Sequence, residues 1–236
     1  MTKRSSRSET PAPDLPEVAG ALVELFEARS KDADGRIRVE DLLSAAAAVC
    51  GEACVAAAGE VDPQHHGFTP GAVLMSDRVN AILANDTSDW SGVGDSVFGI
   101  IRAGALANGY TAADFPSLAE IFRGFAAGVA SADPKSWGFV PLSVPADNRP
   151  RIQPLRAAYE LRPAVRGLLE DRHVPIADWP GVCALALASE LAHVRAAIDP
   201  GTALRLSLET VNGMAKTAPM TDEAMSQATR EAGDRS

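Results

Sequence analysis

Glu60-Val-Asp62-Pro-Gln-His65-His66 gathers two carboxylates and two imidazoles within seven residues. Carboxylate oxygens and neutral imidazole nitrogens are ligands for zinc or iron, and imidazole also serves as a general base near neutral pH. Adjacent histidines point apart, and a metal site needs three or four converging ligands, so this stretch is incomplete by itself. A second fragment, Glu190-Leu-Ala-His193, has the spacing that sets both side chains on one helix face, as in di-iron carboxylate bundles. Those bundles need a second such pair and two further glutamates, which this fragment alone does not supply. If the first stretch folds over the second, His65 or His66 joins Glu190 and His193 in a three-ligand site. The simpler reading is a polar pair on a helix surface beside a solvated loop.

Arg149–Arg172 holds six arginines and three acids inside a chain of net charge −9. Guanidinium groups grip carboxylates and phosphates through paired hydrogen bonds, so Arg149, Arg151 and Arg156, with Trp137 upstream, are the candidates for binding a small anionic ligand. The competing reading pairs these arginines with Asp147, Glu160, Glu170 and Asp171. Trp137, Phe139, Leu142 and Val144 either form an exposed apolar surface that joins two copies of the chain or fold inward as a lid.

Other fragments fail on context. Cys50 and Cys54 share an apolar helix face without the turn of a zinc knuckle, and read as inert core thiols. Asp32-Ala-Asp34-Gly35 with Glu40 and Asp41 echoes a calcium loop but lacks its first and last ligands, and a turn explains it. Gly94-Asp95-Ser96 has the order of a GDSL-type nucleophile block. No buried strand precedes it and no Asp-x-x-His follows, so a helix cap explains Ser96. Gly92-Val-Gly94 lacks the third glycine of a dinucleotide fingerprint.

The elements that must position these groups are helical. In Val39–Ala58, apolar residues recur at steps of three and four, and the remaining faces are largely Ala and Gly, the pattern of a central buried helix. Further helices are expected from Asp14 to Arg29, Ser76 to Asn85, Asp95 to Asn108, after Thr111 or Ser117, from Gln153 to Glu170 with a bend or split at Pro163, from Asp178 to Ile198, and from Thr202 to Met214. The predicted fold is an all-α compact bundle of about eight or nine helices with a long Pro-rich loop near residues 133–154. That loop carries five prolines, and Phe139–Val144 is its only candidate strand. The expected organisation is a polar tail over 1–13, one helical domain over 14–214 and a polar tail over 215–236.

Among 236 residues, 46% are hydrophobic and 22% charged, the balance of a soluble globular protein. The acidic balance argues against nucleic acid, and no uncharged apolar run of spanning length argues for a membrane. Three cysteines without a disulfide framework point to a cytoplasmic setting. Two functional expectations follow. The first is a cytoplasmic all-α binding or interaction protein with an Arg-rich anion-binding patch, self-associating as a homodimer through residues 137–154. The alternative is a metal-dependent enzyme acting on a small anionic substrate, with His65 and His66 as ligands or base. The absence of a complete catalytic set favours the first.

Overall fold

The computed structural model describes residues 12–59, 69–131, 140–224 and 226. Its architecture is all-α, with eight α-helices and three short 3-10 turns among the described residues. The candidates His65, His66 and Trp137 lie outside them.

The central helix is α2, Val39–Ala58. Ala45 to Ala48, Cys50, Gly51 and Cys54 are all buried, so neighbours lie against it on several sides. Small side chains let those neighbours approach closely. The tightest contact is with α8, Pro200–Ala215: a Cβ at Gly51 would stand 2.6 Å from the Val211 carbonyl oxygen and from Met214 Cβ. α7, Trp179–Val194, and α6, Pro154–Asp171, also pack on α2. α2 is long and apolar enough to cross a bilayer by length and composition, yet 78% of its apolar window is buried inside the molecule.

Helix starts are capped as their residue types require. Asp14 accepts the Glu17 N–H at the head of α1, Leu15–Ser30. Ser76 accepts the Val79 N–H before α3, Asp77–Ala84, and Ser96 accepts the Gly99 N–H before α4, Val97–Ala107. Asp199 caps α8 through Thr202. Of the two candidate starts near residue 111, Thr111 opens only a 3-10 turn, and α5 runs over Leu118–Ser131.

Four local expectations need correction. α6 passes unsplit through Pro163, because that residue faces solvent, where water can satisfy the carbonyl its missing N–H leaves free. α7 ends at Val194, four residues before Ile198. Val140–Val144 forms no strand; it is an irregular segment whose Val140 and Val144 are buried. Finally, the packed chain continues beyond 214. Thr217 bridges Val73, Ala218 exchanges backbone hydrogen bonds with Gly71 and Ala72, and both Thr217 and Ala218 are buried.

Candidate functional site

One face of α8 carries Arg205, Glu209, Asn212 and Lys216, spaced by four, three and four residues and therefore stacked along one stripe. The stripe runs beside α5 and the segment after it. A Cβ at Gly213 would stand 2.3 Å from Val140 Cγ1, so glycine there lets residues 140–144 lie down on α8. Glu209 accepts hydrogen bonds from the Ser143 backbone N–H, at 2.7 Å, and from the Ser143 hydroxyl, and Arg205 lies 3.6 Å from its carboxylate. This clamp fixes the segment to the helix.

Between the clamp and α5 a cavity of about 280 Å³ remains. Ile121, Phe125, Pro141 and Leu142 supply its apolar wall; Arg149, Ser143, Glu209 and Asn212 supply its polar groups. The volume stands near the lower end for small-molecule pockets. Asn212 is fully buried, and neither its amide nitrogen nor its oxygen has a hydrogen-bond partner among the described residues. Arg149 is exposed at the rim and forms no ion pair with any described residue.

The other guanidinium groups of the cluster are engaged. Arg151 binds Asp41 with contacts of 2.7 and 2.6 Å, and Arg156 pairs with Glu160, as Arg166 does with Glu170. Arg162 grips Glu52 with two hydrogen bonds, and Arg172 reaches Glu17. Of the described anion-binding candidates Arg149, Arg151 and Arg156, Arg149 alone lines the cavity. Val140 and Val144 turn inward, Leu142 is half-buried and Ile152 is 44% exposed, while Trp137 and Phe139 of the same apolar group lie outside the described residues.

Lys216, the last member of the α8 stripe, lies 4.5 Å from the Phe122 ring centre and 5.9 Å from that of Phe125. Burial pulls its ammonium down to about 8. Below pH 8 both folded and unfolded chains carry the proton and the fold bears the full desolvation cost. Between pH 8 and 10.5 unfolding takes up a proton, so stability rises with pH through that window. Lys216→Met should abolish the rise and add about 1–3 kcal/mol at pH 7, ring attraction for the ammonium reducing the gain. Urea unfolding at pH 7 and pH 10 checks this, and equal stability of the two chains at pH 7 would contradict it.

A second cluster joins α1 to α7. Glu190 and His193 do share a face of α7, and Glu27 from α1 meets them. Burial first, and the Glu27 carboxylate second, push the Glu190 carboxyl up to about 8. The pairing of His65 or His66 with these residues falls outside the described residues. Cys50, Cys54 and Cys183 are buried free thiols; burial raises all three, Cys183 to about 12, so none is a ready nucleophile. Asp32 accepts the backbone N–H groups of Asp34 and Arg36, which makes the calcium-like stretch a self-capped turn. Asp95 and Ser96 line an open groove beside Asn85 and Asp178, and no histidine among the described residues lines it.

Glu27, Glu209 and Asn212 were not among the sequence candidates. For the α8 pair a signal existed, a polar row at helical spacing on an otherwise apolar helix. The chain matches no known family model, and no curated protein or solved structure is similar to it.

Proposed function

We propose that this is a binding protein for a small molecule with an apolar body and an anionic group. The Asn212 amide, buried without a partner in the wall of the cavity, carries the reading. A buried amide left without partners costs about 1–3 kcal/mol, which a ligand donor and acceptor would return. The apolar body would lie against Phe125, Ile121 and Pro141, and the anionic group would sit at the rim on Arg149. Glu209 is already satisfied by Ser143 and Arg205, which leaves Arg149 at the rim and the unpartnered Asn212 in the wall as the groups a ligand would engage.

6-Hydroxyhexanoate and 4-hydroxybenzoate, each with a carboxylate for Arg149 and a hydroxyl for the Asn212 amide, are suitable probes, and calorimetric titration of the full chain is expected to give millimolar dissociation constants. Arg149→Ala should weaken binding about tenfold, the equivalent of 1.4 kcal/mol. Asn212→Leu should abolish binding while stabilising the empty protein by about 1–2 kcal/mol, because an apolar side chain of similar shape removes the unpaired amide. Binding that is indifferent to both substitutions, or no binding of either probe, would refute the reading.

A further inference from the structure

We propose that Glu27, Glu190 and His193 form a binding site for a divalent transition metal of the zinc class. His193 Nδ1 lies 3.3 Å from Glu27 Oε1 and 3.9 Å from Glu190 Oε2, and one ligand atom of each residue lies within 4.8 Å of the other two. Two ligands about 2.1 Å from a tetrahedral ion stand about 3.4 Å apart. One edge of the triangle therefore already fits, and the rest closes by side-chain rotation. His193 and Glu27 are 56% and 40% exposed and have room to rotate, whereas Glu190 is held inside the bundle.

Glu190 is the observation that separates this cluster from a chance gathering of polar groups. It is 0% exposed, and neither carboxylate oxygen accepts a hydrogen bond from any described residue. A buried carboxylate without donors is retained where it is protonated or meets a cation. Among the described His, Cys, Asp and Glu side chains, those gathered with it are Glu27 and His193, both ligand types. One imidazole with two carboxylates suits zinc or iron better than calcium or magnesium, which favour all-oxygen shells. Glu27 and His193 also stand in the last turns of α1 and α7, whose carbonyl ends favour positive charge. Three protein ligands leave a fourth position open for water or a small molecule. The site lies on α1 and α7, so it stands or falls independently of the cavity beside α8.

The test is a Zn²⁺ titration of the full chain, purified without a metal-affinity step and stripped with chelator, read by calorimetry and by melting temperature. One equivalent is expected to bind at micromolar or tighter affinity, with a melting temperature that climbs as free Zn²⁺ rises. Glu190→Gln and His193→Ala should each weaken binding at least tenfold; His193 is exposed, so its variant keeps the fold even if the Glu190 variant does not. Loss in these variants upholds the site whatever His66→Ala does. No stoichiometric Zn²⁺, or binding that persists through both substitutions, would overturn it.

Discussion

Gly51→Leu is expected to leave the chain unable to reach its native fold. The Cβ position at Gly51 lies 2.6 Å from the Val211 carbonyl oxygen and 2.8 Å from the Ala215 nitrogen, both backbone atoms of α8. Backbone in a buried helix cannot step aside as a side chain can, so the whole of α8 must move. Even Gly51→Ala should cost about 2–3 kcal/mol after its gain in helix propensity, lowering the melting temperature by about 5–10 °C. Leucine adds three further carbons to the same gap, and its cost approaches the whole stability of an ordinary domain, about 5–15 kcal/mol. Gly20, on α1, has nothing within 4 Å of its Cβ position, so Gly20→Ala should stabilise by up to about 1 kcal/mol. Thermal melts of the variants separate crowding from propensity; a Gly51→Leu protein that melts like the parent would show that α2 and α8 are not in contact there.

Arg162→Ala is expected to cost about 2–3 kcal/mol. Its guanidinium binds both oxygens of Glu52 on α2, donates to the Met220 carbonyl at 2.6 Å, and lies 5.5 Å from the Tyr159 ring centre. Arg162 and Glu52 side chains are only 21% and 14% exposed, so truncation strands a largely desolvated carboxylate on the central helix. Arg162→Lys should recover less than half of the loss, since an ammonium cannot reproduce the two-pronged grip. The double change Arg162→Met with Glu52→Leu should restore most of it, because no charge is then left alone. Denaturant unfolding measures all three, and a loss below about 0.5 kcal/mol for Arg162→Ala would place the pair among weak surface bridges.

The helices were legible because local chemistry specifies them. Steps of three and four in α2 mark burial, and Asp14, Ser76 and Ser96 are cap residues placed where caps are needed. The split expected at Pro163 is absent because proline breaks a helix only where the lost hydrogen bond cannot be replaced, and its exposed position is a tertiary fact. Among the arginines, the pairs four residues apart, Arg156 with Glu160 and Arg166 with Glu170, follow from helical spacing. The partners of Arg151 and Arg162 could not be read the same way. Asp41 and Glu52 lie 110 residues away in each case, and only the docking of α2 beside α6 brings them close.

The two sites divide along the same line. Glu190 and His193 were visible as a local spacing, but nothing local marks Glu27, which joins them only because α1 lies beside α7. Asn212 belongs to a polar row on α8, but its immediate neighbours Val211, Gly213 and Met214 are all buried, and the spacing carries no sign of whether its amide meets a partner or a void. The void exists because residues 140–144 are clamped to α8 by Glu209 and Ser143, a contact between segments 66 residues apart.

The most direct measurement is an NMR titration of the full, ¹⁵N-labelled chain with 6-hydroxyhexanoate, following the side-chain amide of Asn212. The binding account expects those two amide resonances to shift saturably at millimolar ligand, and the response to weaken about tenfold in Arg149→Ala. Asn212 resonances that stay fixed while 6-hydroxyhexanoate is raised to saturation, or that shift equally without Arg149, would contradict it.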